Sequence, residues 1–221
     1  MDYRYVHQDS KLPTAVSVGL IDKQSQPRFI HTPGANSLLS ENDLKVLELS
    51  EQGVRAIHVA GYFVLPGLLN DRLKEPLYEA KSQGIFTSLD VVRSPNMDQP
   101  QYLWPLMPYL DIFMCNAYEA SHLSGKNDPI EAASKLRTYG ANIVIVKLGA
   151  EGCWIEGAGI SQRVPGIDVE IVDTSGAGDA FAAGLIASIL DGFDPISACQ
   201  SANRAGARVA ADYGCISAWL H

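Results

Sequence analysis

The sequence predicts a doubly wound α/β fold, in which a parallel sheet carries helices on both faces. Strand-like and helix-like patterns alternate along residues 54–148 with short linkers, and this alternation is typical of βαβ units. The strand segments are apolar at successive positions, as in Ile143-Val144-Ile145-Val146, so we expect both faces of the sheet to be covered. Sheets of this kind bind ligands beyond the carboxyl ends of their strands.

A small antiparallel hairpin is predicted ahead of the alternating region. Residues 14–18 and 28–31 have strand composition, and the polar residues 22–27 between them predict a turn. Ser40-Glu41-Asn42-Asp43 then has the spacing of a capping box, and the leucine-rich segment after it predicts a helix that ends at Gly53.

The alternating region is predicted to hold four strands and four helices. The strands are expected at residues 54–60, 85–90, 111–115 and 142–148. The helices are expected at residues 67–83, 101–110, 117–124 and 129–139, and glycine follows three of them. Pro105 and Pro108 interrupt the 101–110 helix.

The C-terminal part begins with strands and ends with two helices. Strands are predicted at residues 153–156, 160–164 and 167–172. A helix is expected at residues 180–191, before Gly192. Asp194 as N-cap and Pro195 at the first helical position predict the start of a final helix.

Composition excludes several classes of function. The 221 residues include 17 Lys+Arg and 25 Asp+Glu, a net charge of −8, which argues against nucleic acid as a partner. The chain starts with nothing like a secretory signal, and its apolar stretches are far shorter than the roughly 18 residues of a membrane span. We therefore expect a cytoplasmic protein with no membrane partner. The four scattered cysteines predict neither a disulfide framework nor a zinc site.

Residues 173–179, with the sequence D-T-S-G-A-G-D, join a predicted strand to a predicted helix. Gly176 and Gly178 let the main chain approach a ligand, and the unpaired N–H groups at a helix start attract an anion. Asp179 would be disfavoured beside an anion unless it has a task there, such as accepting the proton of an attacking hydroxyl. Acids in the first turn of a helix are also common, so this pattern alone fits a structural role as well.

The wider sequence resembles the ribokinase-like (PfkB) family of carbohydrate and nucleoside kinases. Residues 173–179 resemble the family's D-T-x-G-A-G-D signature, and Asn116-Ala117-Tyr118-Glu119 resembles its N-x-x-E motif. Residues 146–152 resemble its K-L-G-x-x-G strand and loop. Residues 201–207 are similar to the small-residue helix that packs beside the adenine.

This resemblance implies transfer of a phosphoryl group from ATP, with Mg²⁺, to a hydroxyl of a sugar or nucleoside. It implies that Asp179 is the general base. The other implied positions are Thr174, Gly176, Ala177 and Gly178 at the anion hole and ATP phosphates, Lys147, Gly149, Gly152 and Asn203 at the nucleotide, and Glu119 with Asn116 at Mg²⁺ through water. Arg93 lies where the family often has the arginine of D-x-N-x-R, but Val92 replaces the asparagine. A substrate contact and an ordinary loop ion pair are both open for Arg93.

The chain departs from the family at its beginning. Members normally start with a further strand, a sugar-gripping Asp and a Gly-Gly motif, and none of these precedes the hairpin. We therefore expect one kinase domain over residues 1–221, truncated relative to the family, with residues 1–33 as a remnant of the substrate-side lid. A strand edge left open in this way is compatible with a homodimer. The alternative function is a nucleotide-binding, catalytically weak remnant that acts as a binding module.

The sequence gives little support for other nucleotide-binding motifs or for a metal site. A dinucleotide-binding G-x-G-x-x-G loop fails because Phe181 stands in place of the third glycine, and the sequence contains no Walker A loop. The histidines lack metal-ligand spacing, and we assign all five to structure or solvent: His7, His31, His58, His122 and His221.

Overall fold

The computed structural model describes residues 5–21 and 27–220, and these residues form two sheets. In the smaller sheet, β1 (Val16–Ile21) pairs antiparallel with β2 (Pro27–Thr32), with Val18 opposite Ile30. The predicted hairpin is therefore confirmed. Its turn, predicted at residues 22–27, lies outside the described residues except for Pro27, which begins β2.

The larger sheet has six strands in sequential order. These strands are β3 (Ala56–Val59), β4 (Phe86–Asp90), β5 (Ile112–Asn116), β6 (Ile143–Lys147), β7 (Cys153–Gly157) and β8 (Ile160–Val164). Strands β3 to β6 are parallel, whereas β7 and β8 each pair antiparallel with the strand before them. The sheet is therefore mixed. The carboxyl ends of its parallel strands β3 to β6 all lie on one side of the sheet, which we call the carboxyl edge.

The described residues also form seven α-helices. They are α1 (Val46–Glu51), α2 (Lys74–Ser82), α3 (Ala117–Ser124), α4 (Pro129–Arg137), α5 (Ala177–Leu190), α6 (Pro195–Ala210) and α7 (Gly214–Ser217). Short 3₁₀ helices occupy much of the remaining chain: Gly34–Leu38, Glu41–Asp43, Tyr62–Val64, Pro66–Leu68, Asp71–Leu73, Pro95–Asp98, Pro100–Tyr102, Met107–Tyr109 and Gly149–Glu151.

The two faces of the sheet are covered by different parts of the chain. Parallel strands in sequential order need right-handed crossovers that all lie on one face, and α2, α3 and α4 pack there, with Phe113 and Leu136 in one buried cluster. Helices α5 and α6 follow the last strand and cover the other face, where Ile145 packs in a cluster with Leu185. Helices on both faces confirm the predicted fold class.

The strand predicted at residues 167–172 is wrong. This segment forms no ladder, and Val172 donates its N–H to the carbonyl of Ala210 at the end of α6 (2.8 Å). The alternating Ile167, Val169 and Ile171 line a cavity instead of pairing in a sheet. A cavity wall produces the same alternation of apolar residues as a half-buried strand, and this explains the error.

Two predicted helices are broken into shorter pieces. Residues 101–110 form parts of two 3₁₀ helices, Pro100–Tyr102 and Met107–Tyr109, because prolines remove the N–H groups that a continuous helix needs. Residues 67–83 reach α-helical geometry only in α2, since Asn70 caps a separate turn by accepting the Arg72 N–H at 2.8 Å. The helix predicted at residues 180–191 begins earlier, at Ala177.

We expect Ile145→Val to lower the free energy of unfolding by about 1 kcal/mol, because it removes a buried methylene from a packed core. Urea unfolding followed by circular dichroism measures the change. Ile130→Val is the matched control, since Ile130 on α4 is 44% exposed, and its effect should stay below about 0.5 kcal/mol. Equal losses in the two variants would contradict the described packing.

Candidate active site

Charged side chains from four elements meet at the carboxyl edge. Asp90 is the last residue of β4, Lys147 is the last residue of β6, and Asp179 is the third residue of α5. The ammonium group of Lys147 acts electrostatically on Asp90, on Asp179 and on Glu119 in the first turn of α3. We call these four residues the strand-end cluster.

A glycine turn brings α5 to this cluster. Gly176 precedes α5 with a φ of +80°, and a β-carbon at this position would lie 2.3 Å from the β-carbon of Cys215. Only glycine meets both conditions. Asp173 stabilises the turn from both sides, because its carboxylate accepts the N–H groups of Ser175 (2.9 Å) and Gly214 (3.1 Å).

The first turn of α5 offers donors to an anion. Ala177 donates its N–H to the Thr174 carbonyl at 3.2 Å, so it is used within the turn. Helix geometry leaves the N–H groups of Gly178 and Asp179 without helical acceptors. Lys147 adds positive charge, since its Nζ lies 3.4 Å from the position of a β-carbon on Gly178. The anion hole over Gly176, Ala177 and Gly178 stays a prediction, and the N–H groups of Gly178 and Asp179 are its candidate donors.

The Asp179 carboxyl group has a raised pKa. Partial desolvation is the main cause, and the neighbouring Asp90 carboxylate raises the pKa further. Lys147 and His58 act in the opposite direction. A carboxylate that holds a proton more strongly is a better base as long as it remains ionised.

Glu119 is buried at 3% exposure. Its carboxylate, predicted to act at Mg²⁺, also forms hydrogen bonds within the chain. Its carboxylate accepts the Asn116 N–H at 2.8 Å, while the Asn116 side chain accepts the Glu119 N–H at 2.9 Å. This is a capping box, whose spacing the N-x-x-E pattern also fits, although the sequence analysis did not assign it here. Burial raises the Glu119 pKa, and the Asn116 hydrogen bond and Lys147 partly offset the effect.

A cavity of about 210 Å³ lies beside the strand-end cluster. Its lining is mostly apolar, and Ile167, Val169 and Ile171 form part of its wall. Six residues predicted at the nucleotide or the phosphates line it: Lys147, Gly149, Gly152, Thr174, Ala177 and Asn203. Lys147 therefore belongs to both the cavity and the cluster, and it joins the two parts of the site.

Close main-chain contacts hold the cavity wall in place. Gly152 has a φ of +92°, and a β-carbon there would lie 2.1 Å from the Val164 carbonyl oxygen. Asn203 of α6 is buried and donates its Nδ2 group to the carbonyls of Val164 (3.2 Å) and Pro165 (2.9 Å). Asn203 therefore attaches α6 to the end of β8 as well as lining the cavity.

Arg93 is exposed, and its guanidinium lies 4.5 Å from the centroid of the Tyr118 ring. Within residues 5–21 and 27–220, no ion pair of Arg93 is found. The loop ion pair that the sequence left open is thus replaced by a cation–π contact. The substrate role remains a prediction.

Sequence analysis gave no site role to His58 or Asp90, two polar residues that the structure brings together. His58, which we assigned to structure or solvent, lies 3.8 Å from the Asp90 carboxylate through Nε2. Asp90 falls at the end of the strand predicted at residues 85–90, and no role was predicted for it. Asp90 stands at a strand end, which is a signal in the sequence, whereas His58 lies inside β3 and is brought near Asp90 by the register between β3 and β4.

The described part of the chain contains no group of three or more His, Cys, Asp or Glu side chains that could hold a metal ion by itself. In the same residues, no helix is long and apolar enough to cross a membrane. The four cysteines are free thiols, and only Cys215 is exposed.

Comparison with known proteins identifies a family. The model of the pfkB family of carbohydrate kinases matches residues 1–221. The chain is 28% identical over 196 residues to an uncharacterized sugar kinase of Archaeoglobus fulgidus, covering 88% of this chain and 75% of that protein. It is 31% identical over 163 residues to 2-dehydro-3-deoxygluconokinase of Bacillus subtilis, covering 68% of this chain and 49% of that protein. Aminoimidazole riboside kinase of Salmonella typhimurium is 28% identical over 234 residues, with coverages of 99% and 71%. The chain thus spans between about half and three quarters of the length of these relatives.

Solved structures agree with this assignment. A ribokinase from Thermotoga maritima superposes with a TM-score of 0.74 at 26% identity, covering 94% of this chain and 66% of that chain. Aminoimidazole riboside kinase from Salmonella enterica, complexed with aminoimidazole riboside and an ATP analog, superposes with a TM-score of 0.78 at 24% identity, covering 98% and 73%. The second comparison supports the fold alone.

We expect Asp179→Asn to raise the free energy of unfolding at pH 7 and the gain to shrink as the pH falls. The folded-state pKa of this carboxyl lies above its unfolded value, so its ionisation opposes folding above the raised pKa. Below the ordinary Asp value of about 4, both states are protonated and the effect disappears. Urea unfolding between pH 7 and values below about 4 measures the gain. Asp168→Asn is the control, because Asp168 is exposed. A gain that does not vary with pH would contradict the raised pKa.

Proposed function

This chain belongs to the pfkB family of carbohydrate kinases, and on that premise we propose that it transfers the terminal phosphoryl group of ATP to a hydroxyl of a sugar or sugar-like acceptor. The observation that carries the proposal is the position of Asp179, a carboxylate in the first turn of a helix whose free N–H groups and neighbouring Lys147 attract an anion. A base and an anion site at one place are what hydroxyl phosphorylation requires.

Asp179 acts as the general base in this proposal. It accepts the proton of the acceptor hydroxyl as the oxygen attacks phosphorus, and the phosphorus–oxygen bond to the leaving diphosphate breaks. The raised pKa of its carboxyl supports this role, since a stronger base takes the proton more readily.

The anion site stabilises the charge on the transferring group. The N–H groups of Gly178 and Asp179 and the ammonium group of Lys147 are oriented before the reaction, so little reorganisation is needed as charge develops. Gly176 and Thr174 shape the turn that carries these donors. Phosphoryl transfer depends mainly on such positioning and electrostatic stabilisation.

The donor set near the cluster fits Mg²⁺ held through water. Glu119 supplies a buried carboxylate and Asn116 an exposed amide, and Mg²⁺ usually binds through one or two carboxylates, several waters and substrate phosphates. Glu119 and Asn116 would hold the ion in this way. When bound, Mg²⁺ neutralises charge on the phosphates.

In this proposal the cavity binds the base of the nucleotide. Its mostly apolar wall suits a flat heterocycle, and the Gly149–Glu151 turn with Gly152 lets the main chain approach the ligand closely. Asn203 and Lys147 supply polar groups at this cavity. Thr174 connects the cavity to the glycine turn, so ATP could extend from the cavity to Asp179.

We expect Asp179→Asn to lower the rate of acceptor-dependent ADP release by roughly 10²–10⁴-fold, the usual contribution of a general base. A coupled assay with a panel of pentoses, hexoses, 2-keto sugar acids and nucleosides measures the rate. Asp168→Asn is the matched control and should retain the wild-type rate, because Asp168 is exposed and outside the cluster.

The same assay, together with calorimetry, distinguishes a sugar kinase from a nucleotide-binding module without activity. Equal rates in wild type and Asp179→Asn would remove Asp179 from catalysis. Binding of Mg–ATP by calorimetry without turnover on any acceptor would favour the alternative, a nucleotide-binding remnant.

We expect Glu119→Gln to raise the Mg²⁺ concentration that gives half the maximal rate by roughly 10–100-fold, the usual cost of losing an outer-shell carboxylate. Glutamine also completes a capping box, so α3 should keep its start. Glu131→Gln, on the exposed face of α4, is the control. An unchanged Mg²⁺ requirement in Glu119→Gln would restrict Glu119 to its structural role.

A further inference from the structure

The sheet face beneath α5 changes from apolar to polar between β5 and β4. One cross-strand row contains His58, Ser88, Ile112 and Ile143 in order from β3 to β6. Ile112 and Ile143 pack in the buried cluster under α5 and α6, whereas Ser88 is fully buried and His58 is about four-fifths buried. Burying polar groups costs free energy unless they are paired, so this change needs a reason.

Hydrogen bonds orient two of these polar groups towards each other. His58 Nδ1 is bonded to Ser88 Oγ at 2.9 Å, which leaves Nε2 facing Asp90. Asp90 Oδ1 accepts the Gly61 N–H at 2.6 Å, which leaves Oδ2 facing His58. Nε2 and Oδ2 are 3.8 Å apart, too far for a direct hydrogen bond.

Asp90 is only 6% exposed, and its Oδ2 accepts no direct hydrogen bond from the residues that the structure describes. Oδ2 is not one of the fully buried unpaired atoms of these residues, so it stays accessible to a ligand. Burial raises the pKa of the Asp90 carboxyl, but the neighbouring His58 side chain, the Lys147 charge and the Gly61 N–H together keep this pKa below its usual range. An ionised carboxylate oxygen that is accessible but has no protein donor is a strong acceptor for a hydroxyl group.

The pair lies on the opposite side of the site from the nucleotide cavity. The cavity residues come from the β6–β7 turn, the segment after β8 and helices α5 and α6, whereas His58 and Asp90 come from β3 and β4. Asp179 interacts electrostatically with Asp90 and His58 on one side and with Lys147 on the other. An acceptor bound at the pair would therefore adjoin the base.

We propose that His58 Nε2 and Asp90 Oδ2 bind neighbouring hydroxyl groups of the acceptor, so that the acceptor is a polyol with a vicinal diol. This inference rests on the proposed function and specifies its substrate side. One hydroxyl donates to Asp90 Oδ2 and the next hydroxyl bonds His58 Nε2, so that the two hydroxyls bridge atoms that lie 3.8 Å apart. A deoxy acceptor would cover this carboxylate oxygen without donating a hydrogen bond to it, and the pair would therefore discriminate against that acceptor.

Two isosteric variants of His58 test this assignment. Glutamine retains a polar atom near the position of Nε2 and loses the one at Nδ1, whereas asparagine retains the atom at Nδ1 and loses the one at Nε2. Calorimetry with the full chain would measure binding of D-ribose, D-fructose, 2-dehydro-3-deoxygluconate and aminoimidazole riboside to wild type, His58→Gln, His58→Asn and Asp90→Asn. Binding of Mg–ADP to each variant reports whether the fold and the nucleotide side are intact.

We expect wild type to bind at least one of these polyols and His58→Gln to stay within about twofold of it. His58→Asn should bind that polyol roughly tenfold more weakly or worse, with the affinity for Mg–ADP unchanged, and Asp90→Asn should bind the polyol at least as weakly as His58→Asn. The inference is overturned if wild type binds none of the four, if His58→Asn binds as wild type does, or if His58→Gln loses as much as His58→Asn. Polyol binding with this pattern but without ADP release would instead contradict the proposed function and leave this inference intact.

Discussion

The site is organised around the ammonium group of Lys147. Lys147 is the last residue of the buried strand β6 and lines the cavity, and its ammonium group lies next to the first turn of α5. It also offsets part of the repulsion among the carboxylates of Asp90, Glu119 and Asp179, which would otherwise oppose their presence in one partly desolvated region. The rigid parallel strands make this arrangement possible, because they bring residues distant in sequence to one edge.

Much of the fold could be predicted because its signals are local. Apolar runs marked β5 and β6, a glycine marked the end of α3, and Asp194 with Pro195 marked the start of α6. Residues 167–172 were misassigned because apolar alternation reports which side of the chain is buried and not what buries it. Around the site, the glycine signature predicted the turn that carries Asp179, since the turn is a contiguous segment. The His58–Asp90 pair could not be found in this way, because it depends on the register between β3 and β4.

The two sides of the site are built by different physical means. The cavity side is held by main-chain contacts that leave no room for a side chain at Gly152 and by the hydrogen bonds of Asn203. The strand-end side is held by charges and by side-chain hydrogen bonds, as at Asn116 and Glu119. The first arrangement defines the shape of the cavity. The second defines an electrostatic field, which responds to pH and to bound ions.

The contact between Gly176 and Cys215 has an evolutionary consequence. The glycine is required partly by the local backbone angle and partly by a β-carbon from a segment 39 positions further along the chain, according to the sequence numbering. The two positions are therefore not free to drift independently: any residue other than glycine at 176 meets the side chain at 215, and a bulkier residue at 215 presses on the turn. In a library that randomises both positions, the surviving combinations should be correlated, and a chimera that exchanges C-terminal segments between relatives should inherit this dependence.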